Sequence, residues 1–277
     1  MNSSPVNIAC INEALPHFND KYDFIDEVFR FNQKSNPSAH FHYITDQAVK
    51  IKGASTHDIA QYTDRDTKAL EANFLNLNSV PKELELSWVK RWVILRNFMS
   101  KHSLKSVLYL DNDVLLFTPI STWPQEVKKA DYSLSENCSP HTNYINNFLA
   151  LDKFVDYILD IYVNRNFELD KFKSIYKKMQ ASKRPGGVGD MMLWTHFSNK
   201  HLFPGAIMDI SKIFDHNQSF DHNIHTTKEI WAQEAQYKKI ILQNSQPYGQ
   251  RLSDGKLIKF NTLHFQGGAK SKMHQYL

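Results

Sequence analysis

The sequence predicts an α/β protein in which a mixed, mostly parallel sheet is flanked by helices. Three observations support this fold class. Short apolar runs that fit buried strands alternate with segments of helical periodicity, an order typical of parallel sheets. The 277 residues are enough to bury a full core, and 42% of them are hydrophobic. We find no internal repeat and no linker, so we expect one domain over residues 1–277.

The chain opens with a β-α-β unit. Residues 6–11 form a short apolar run that fits a buried strand. Apolar residues at spacings of three and four, including Val28 and Phe29, then predict a helix. Residues 41–46 fit a second strand with a polar end. Two strands joined by a helix in this way usually pair in parallel.

A helix and the clearest strand of the sequence follow a polar region. Residues 73–78 predict a loop, and residues 84–99 predict a strong helix. Trp88 and Trp92 lie on one stripe of that helix, and we expect both in the core, where tryptophans on helices are commonly found. Residues 106–110 are nearly all apolar and predict a buried strand.

The second half is predicted to be less regular. Residues 131–135 fit a short strand, and residues 152–180 predict one long helical region. The glycine-rich residues 184–189 break it, and a helix restarts at Asp190. After residue 204, short apolar runs alternate with polar, histidine-rich loops. We therefore expect an elaborated C-terminal half within the same domain.

Charge and cysteine content narrow the class of protein. The formal net charge is +4 and is not concentrated in one long run, so we expect no nucleic-acid partner. The densest basic cluster, at residues 171–184, is interpreted as a solvated helix face, with peripheral contact to an anionic membrane as the alternative. Cys10 and Cys138 do not make a disulfide scaffold, which favours a reduced, cytoplasmic protein. We recognise no signal peptide and no transmembrane segment.

Asp111 and Asp113 are the strongest candidates for chemistry. In an extended chain, side chains two residues apart point the same way, so both carboxylates can approach one cation. They follow the strand predicted at residues 106–110, and open α/β sheets bind ligands at the carboxyl ends of their strands. Carboxylates without nearby thiols favour Mn²⁺ or Mg²⁺ over zinc. Such an ion would stabilise a diphosphate as a leaving group.

Two motifs resemble those of known enzymes. Residues 107–114, which contain Asp111, Asn112 and Asp113, look like the D-x-D strand of glycosyltransferases with the GT-A fold. Residues 264–270 have the H-x-x-G-x-x-K form of glycosyltransferase family 8, the retaining galactosyl- and glucosyltransferases that include glycogenin. The resemblance implies a GT-A-like, Rossmann-like fold. It also implies that the triplet forms the metal and sugar-nucleotide site.

The resemblance assigns roles to the residues of both motifs. Asp111, Asp113 and His264 would bind Mn²⁺, with Mg²⁺ as the alternative, and an imidazole beside two carboxylates suits Mn²⁺. Gly267 would let the backbone approach the diphosphate of the nucleotide. Lys270 would hold the phosphates as a point charge.

Three weaker matches would place further residues near the donor. Ile11 and Asn12 end a strand similar to the family's first strand, whose end holds the nucleobase. Arg91, which we prefer over Lys90, lies on the helix before the D-x-D strand, where the family has a basic residue that faces the donor. Asn146 is similar to the asparagine of the family's F-N-x-G segment near the donor sugar, although the glycine is missing here.

Asp190 lies at a loop-to-helix entry that resembles the one where the family carries an Asp-Gln pair. The family's aspartate contacts hydroxyls of the donor sugar, which makes Asp190 a candidate catalytic residue. Capping the helix is its alternative role. Met191 replaces the family's glutamine, which puts any catalytic role of that amide in doubt.

A stretch rich in histidine and aspartate is interpreted as a polar loop rather than a second metal site, because no tight ligand spacing recurs in it. Shaping an acceptor pocket is the alternative for this stretch. Its residues are Asp215, His216, Asp221, His222 and His225.

These features predict a hexosyltransferase that moves a sugar from a nucleotide-sugar, in particular a UDP-sugar, to a hydroxyl of a glycan, a lipid-linked acceptor or a protein, with retention. We expect a nucleotide-binding half at about residues 1–130 and an acceptor-binding half at about residues 131–277. One rival is a sugar nucleotidyltransferase, whose usual glycine-rich loop and basic residue are missing at residues 10–13. Another is a non-catalytic module of the same fold that binds nucleotide-sugars.

Overall fold

Helices and strands alternate along most of the chain in its computed structural model, which describes residues 5–15, 24–225 and 230–277. The helices of the described residues are α1 (Ile25–Ser35), α2 (Arg65–Asn73), α3 (Lys82–Lys101), α4 (Gln125–Lys129), α5 (Phe148–Tyr162), α6 (Phe167–Ala181) and α7 (Asp190–Asn199). The strands are β1 (Asn7–Asn12), β2 (His40–Thr45), β3 (Ala54–Asp58), β4 (Val107–Leu110), β5 (Val114–Leu116), β6 (Tyr132–Leu134), β7 (Thr142–Ile145), β8 (Ile207–Asp209), β9 (Gln218–Ser219), β10 (Gln233–Glu234), β11 (Tyr237–Lys238), β12 (Ile240–Gln243), β13 (Gln246–Gln250), β14 (Leu257–Phe260) and β15 (Thr262–His264). Within the described ranges, none of the helices combines the length and the apolar character needed to cross a membrane.

The central sheet has five strands in the order β3-β2-β1-β4-β7. The first four are parallel, with Ile8 of β1 opposite Phe41 of β2 and Leu108 of β4, whereas β7 joins β4 in the antiparallel direction. The predicted β-α-β opening and the mixed, mostly parallel sheet are confirmed. From β1 the chain moves outward to β2 and β3, then returns to the other side of β1 to form β4. Such a switch in strand order leaves a crevice at the carboxyl ends of the strands.

Alternate residues of the central strands pack on opposite faces of the sheet, as the two-residue repeat of a strand requires. Ala9 and Tyr109 belong to a core formed with α3, α5 and α7. Ile8 and Leu108 belong to a second core on the other face, which includes Phe29 of α1. Burial on both faces explains why β4 is apolar at every position.

A small antiparallel sheet joins the last strand to the segment after β4. β15 pairs with β5, and His264 lies opposite Val114. The pairing continues past the strand, since the backbone N–H of Phe265 donates to the carbonyl of Asp113 (2.9 Å). Both strands are buried throughout. Two segments that are far apart in the sequence are therefore held side by side at the edge of the crevice.

The long helix predicted at residues 152–180 is wrong in one respect, because the structure has two helices, α5 and α6, separated by residues 163–166. The side chain of Asn166 accepts a hydrogen bond from the backbone N–H of Glu168 and so caps α6. Arg165 has a φ of 50°, a left-handed conformation that is common where helices end. Helical periodicity on both sides of the break concealed it in the sequence.

A chain of hydrogen bonds links three histidines and a tyrosine on the first three parallel strands and the adjoining end of α3. His42 Nε2 lies 3.1 Å from Asn7 Oδ1, and His42 Nδ1 lies 3.1 Å from His57 Nε2. The Tyr62 hydroxyl lies 3.0 Å from His57 Nδ1 and 2.9 Å from His102 Nε2. Because the amide oxygen of Asn7 only accepts, His42 donates from Nε2 and accepts at Nδ1. His57 Nε2 then donates to His42, the Tyr62 hydroxyl donates to His57 Nδ1, and His102 Nε2 donates to the Tyr62 oxygen. Every contact is therefore satisfied when all three histidines are neutral.

We predict that this chain makes the protein lose stability in mild acid. Burial, and then the neighbouring histidines, lower the pKa of His42 from 6.5 to about 4, and burial also lowers the pKa of His57. The unfolded chain therefore takes up these protons at a higher pH than the folded chain does. The stabilising contribution is complete above about pH 6.5 and is lost as the pH falls towards 4.

Denaturant unfolding of the wild type and of His42→Gln across this pH range measures the effect. The free energy of unfolding of the wild type should fall more steeply with decreasing pH than that of the variant. Equal slopes for the two proteins would contradict the assignment of neutral histidines.

Candidate metal and ligand site

A cleft of about 740 Å³ opens at the carboxyl ends of β1 and β4, at the switch in strand order. Pockets that hold small-molecule ligands have volumes of roughly 300–1,000 Å³, so the cleft is large enough for a substrate or a cofactor. Its lining extends from Ile11 and Asn12 at the end of β1 to Lys270 after β15. Both halves of the chain therefore contribute to one site.

The two aspartates of the D-x-D motif occupy the turn between β4 and β5. The backbone N–H of Asp111 donates to the carbonyl of His141 (2.9 Å), which anchors the start of the turn. The pairing of β15 with β5 brings His264 to the end of the turn, where its Nε2 lies 3.4 Å from Asp113 Oδ1. Lys270 Nζ lies 3.6 Å from Asp113 Oδ2. Two carboxylates, an imidazole and an ammonium group thus meet in the cleft.

Asp111, Asp113 and His264 fit a divalent cation. One ligand atom of each lies within 4.8 Å of those of the other two. The Nδ1–H of His264 donates to the carbonyl of His222 (2.6 Å), which orients Nε2 towards the carboxylates, as in many metal-binding histidines. Asp113 Oδ1 is buried without a hydrogen bond in the described part of the chain, which is costly unless a cation compensates.

The charges around Asp113 keep its carboxyl group ionised. Burial alone would raise its pKa, but His264 and Lys270 lower the pKa of Asp113 to about 2. Burial also acts to lower the pKa of His264, but the carboxylates of Asp113 and Asp111 raise this pKa above its ordinary value. A divalent cation and a proton would therefore compete for the same Nε2 atom.

Arg91 of α3 ties Asp111 to Asp190. Its Nη1 donates to Asp111 Oδ1 (2.7 Å), and its Nη2 donates to Asp190 Oδ2 (2.5 Å). The Tyr109 hydroxyl donates to the same oxygen of Asp111 (2.8 Å), and the indole N–H of Trp92 donates to Asp190 Oδ2 (3.2 Å). Burial opposes the charge on Arg91, but the two aspartates raise its pKa well above the ordinary value. A permanent positive charge is therefore fixed at the cleft.

The glycine-rich loop before α7 carries Asp190 to Arg91. At Gly187 the backbone passes so close to the backbone of Leu77 that a Cβ there would lie 2.2 Å from the Leu77 carbonyl oxygen. The N–H of Val188 donates to the same carbonyl (2.8 Å), so the approach is a bonded one that only glycine permits. Asp190 is the first residue of α7, whereas the capping position belongs to Gly189.

The sequence analysis missed the groups that hold His264 in place. Asp221 is fully buried; its Oδ2 accepts from the backbone N–H of His264 (3.1 Å), and its Oδ1 pairs with the buried Lys238. His222 supplies the carbonyl that accepts from Nδ1. The ring of His141 stacks on that of His264, with centroids 3.9 Å apart and planes inclined by 21°. In the sequence, the only indication that Asp221 and His222 support His264 was the density of histidine and aspartate between Asp215 and His225.

All but one of the predicted site residues line the cleft. They are Ile11, Asn12, Arg91, Asp111, Asn112, Asp113, Asp190, His264, Gly267 and Lys270. The exception is Asn146, whose amide group donates to the carbonyls of Val127 (3.3 Å) and Ala130 (2.7 Å). These bonds direct Asn146 to the loop between α4 and β6, and the structure does not bring it to the cleft.

Lys90, the alternative to Arg91, also lines the cleft. Its ammonium group pairs with Glu13, which follows β1 (2.7 Å), and with Glu71 of α2 (2.8 Å). Only Arg91 of the two reaches Asp111. The role of Arg91 as the basic residue that faces the donor stays a prediction.

The prediction that Trp88 lies in the core is wrong. Trp88 is half-buried and lines the cleft, whereas Trp92, one turn further along α3, is completely buried. The apolar stripe of α3 is wider than the surface that the core covers. Its edge is therefore exposed to the cleft.

Comparison with known proteins gives weak likenesses only. No protein-family model matches the chain, and no curated protein matches it. Among solved structures, mouse xyloside xylosyltransferase 1 in its apo form is similar over 77% of this chain and 87% of that chain, with 13% identity and a TM-score of 0.47. A glycosyltransferase involved in the glycosylation of the major capsid of PBCV-1 is similar over 98% of both chains, with 10% identity and a TM-score of 0.40. The PaToxG glycosyltransferase is similar over 65% of this chain and 75% of that chain, with 15% identity and a TM-score of 0.33. Because these TM-scores lie below 0.5, the likenesses transfer no property to this chain, and its function has to follow from its own residues.

We predict that Asp221→Ala destabilises the protein by about 3–5 kcal/mol, because it leaves the Lys238 charge buried without a partner. The double variant with Lys238→Met should recover much of this loss, since it leaves no unpaired buried charge. Denaturant unfolding of the two variants and the wild type measures both quantities.

An exposed ion pair provides the control for this prediction. Lys153 and Asp156 are paired at 3.0 Å with about half of each side chain exposed, so Asp156→Ala should leave the unfolding midpoint nearly unchanged. A double variant that is as unstable as Asp221→Ala alone would show that the lost charge pairing is not the cause.

Proposed function

We propose that this chain is a metal-dependent glycosyltransferase of the GT-A-like fold, which moves a hexose from a nucleotide-sugar to an acceptor hydroxyl. The supporting observation is that Asp111, Asp113 and His264 converge within 4.8 Å of one another, beside Lys270, in a cleft at the switch in strand order. Mn²⁺, or alternatively Mg²⁺, would neutralise the diphosphate and stabilise it as a leaving group. We prefer a UDP-sugar as the donor, because residues 107–114 and 264–270 resemble the motifs of GT-A-fold and family 8 glycosyltransferases.

The donor would lie along the cleft. We assign the nucleobase to the end near Ile11 and Asn12, and the diphosphate to the end near Asn112 and Lys270, where the ammonium group supplies a point charge. Gly267 has a φ of 59°, and apart from its two chain neighbours no atom of the described residues lies within 4 Å of the position that a Cβ would take. Its backbone is therefore open to close approach by a phosphate.

Asp190 would orient the sugar that is transferred. Its Oδ2 accepts from Arg91 and Trp92, while its Oδ1 makes no hydrogen bond within the described part of the chain. A carboxylate oxygen only accepts, so Oδ1 would bind a hydroxyl group of the sugar. Arg91 holds the carboxylate in position, so this oxygen is pre-organised for the contact.

The reaction exchanges one bond at the anomeric carbon for another. The bond from this carbon to the diphosphate oxygen breaks, and the oxygen of the acceptor hydroxyl forms a bond to the same carbon. The hydroxyl proton passes to the departing diphosphate, so the products are a glycoside and UDP. We infer that the hydroxyl approaches on the face from which the diphosphate leaves, which retains the anomeric configuration. A glycan, a lipid-linked acceptor or a protein would each supply such a hydroxyl. The cytoplasmic location of the protein stays a prediction.

Two rival functions give different products. A sugar nucleotidyltransferase would release pyrophosphate, but the segment after β1 begins with Glu13, Ala14 and Leu15, which supply neither a glycine-rich loop nor a basic residue. A non-catalytic module would bind the nucleotide-sugar and release nothing. Incubation with UDP-sugars and Mn²⁺ distinguishes the proposed function from both rivals, because only a glycosyltransferase releases UDP.

We predict that Asp113→Asn weakens Mn²⁺ binding by at least about 100-fold and lowers the rate of UDP release by a similar factor. The amide keeps the shape of the carboxyl group but has no charge to offer the ion, and even outer-shell changes at metal sites cost 10–100-fold in affinity. Calorimetric titration with Mn²⁺ in the presence of UDP measures the affinity.

Asp170→Asn is the matched control, since it removes the same charge from a largely exposed position on α6. Its affinity for Mn²⁺ should equal that of the wild type. Unchanged Mn²⁺ binding by Asp113→Asn, or metal-independent release of UDP, would overturn the proposed function.

A further inference from the structure

Trp88 differs from the other four tryptophans of the chain. Trp92, Trp123, Trp194 and Trp231 are each at most 5% exposed, and each packs its ring against other aromatic rings. Trp88 is half-buried, lines the cleft, and has neither a ring contact nor a hydrogen bond within the described residues. The largest apolar side chain type is therefore placed at the cleft without an aromatic or hydrogen-bonding partner among the described residues.

The geometry of α3 places Trp88 on the far side of Arg91 from the proposed nucleobase end. Successive residues of a helix are turned by about 100°. Lys90, which pairs with Glu13 after β1, is therefore about 100° from Arg91 in one direction, and Trp88 is about 60° from Arg91 in the other. Asp190 is hydrogen-bonded to Arg91 and to Trp92, which lies about 100° from Arg91 on the Trp88 side. The order across the cleft is Lys90, then Arg91 beside the metal site, then Trp88.

Four side chains form an apolar surface on this side of the cleft, which we call the Trp88 shelf. They are Val80, Leu84, Trp88 and Met191. In the described structure, none of the four belongs to the three clusters of core residues, although Leu84 is largely buried. The shelf adjoins a polar group, because Met191 directly follows Asp190. An indole face that lines the same cleft as the carboxylate proposed to orient the donor sugar is suited to a second ligand with both an apolar face and hydroxyl groups.

We propose that the Trp88 shelf binds a pyranose ring of a saccharide acceptor. A pyranose has C–H groups on its faces, which can stack on an indole, and hydroxyl groups on its rim, one of which would attack the donor sugar that Asp190 orients. The inference rests on the proposed glycosyltransferase function and adds a substrate class to it. An acceptor on the shelf would lie next to the metal site and opposite the nucleobase.

This placement differs from the sequence prediction that the acceptor binds to the second half of the chain, at about residues 131–277. Val80, Leu84 and Trp88 all come from the half predicted to bind the nucleotide. Both substrates would therefore contact α3, with the acceptor on the Trp88 edge and the nucleobase end of the donor on the Lys90 edge. Arg91 lies between the two edges and is bonded to Asp111.

Fluorine NMR of protein labelled with 5-fluorotryptophan tests the proposal. The chain has five tryptophans, and the Trp88→Phe variant identifies the resonance of Trp88. The probes are maltose, lactose and cellobiose, with octyl alcohol as a purely apolar competitor. A saccharide should shift the Trp88 resonance and leave those of the four core tryptophans in place. Shifts caused by octyl alcohol alone, or by no probe, would overturn the proposal.

The affinity of the variants for the same saccharides gives a second readout. Saturation-transfer NMR, which observes the sugar protons, should show binding weakened at least about tenfold in Trp88→Ala and by less in Trp88→Phe, which keeps a ring for stacking. Phe167→Ala, which removes an aromatic ring that is 67% exposed on α6, is the matched control and should bind as the wild type does. Equal affinities in Trp88→Ala and the wild type would contradict the assignment.

A separate titration with UDP and Mn²⁺ keeps the two proposals distinguishable. Binding of UDP without any effect of saccharides on Trp88 would remove the acceptor assignment and leave the proposed glycosyltransferase function. No metal-dependent binding of UDP would instead remove the proposed function, and with it the acceptor assignment.

Discussion

The pairing of β15 with β5 is the interaction on which the candidate site depends. It sets His264 opposite Val114, one residue after Asp113, and the N–H of Phe265 continues the ladder by donating to the Asp113 carbonyl. Both strands are buried, so the register is fixed by packing on both faces. Displacement of this register by one residue would turn the side chain of His264 away from the aspartates. The geometry of the candidate metal site is therefore a consequence of strand pairing in the core of the protein.

Charge balance is the second constraint. Asp111, Asp113 and Asp190 bring three carboxylates into one partly buried cleft, and each has a cationic neighbour: Arg91 lies against the first and last, and His264 and Lys270 face the second. Buried charges without partners cost several kcal/mol, so an arrangement of this kind persists only when cations are held next to it. When a divalent cation and a diphosphate bind in the cleft, their contacts would replace some of these ion pairs between side chains. Until such ligands bind, the carboxylates and the cationic side chains stabilise one another in the cleft.

The sequence predicted the parts of the fold and site that depend on local patterns. The strand before the D-x-D turn and the shared direction of Asp111 and Asp113 were predictable because an apolar run and an i, i+2 spacing are local features. His264 could be linked to them only through the resemblance of its motif to a family, because nothing local connects segments that meet through β-pairing. Asp221 and Lys238 could not be predicted, since their ion pair forms only when distant segments pack together.

Helical periodicity also has a limit that α3 illustrates. Trp88 and Trp92 are separated by only about 40° around the helix, so the pattern assigns both to the same stripe. Which of them meets the core depends on where α7 and the glycine loop lie, and that is set by contacts such as the close approach of Gly187 to Leu77. Asn146 shows the same limit for a motif match, because its amide is used by the backbone of a neighbouring loop.

The most direct test of the central claim is pulsed electron paramagnetic resonance of Mn²⁺ bound to the protein with UDP. If Asp111, Asp113 and His264 hold one ion, the manganese signal should show coupling to one histidine nitrogen, identified by ¹⁵N labelling of histidine, and His264→Ala should abolish it. Manganese that binds with no coupling to a histidine nitrogen, or with the same coupling in His264→Ala, would contradict the account.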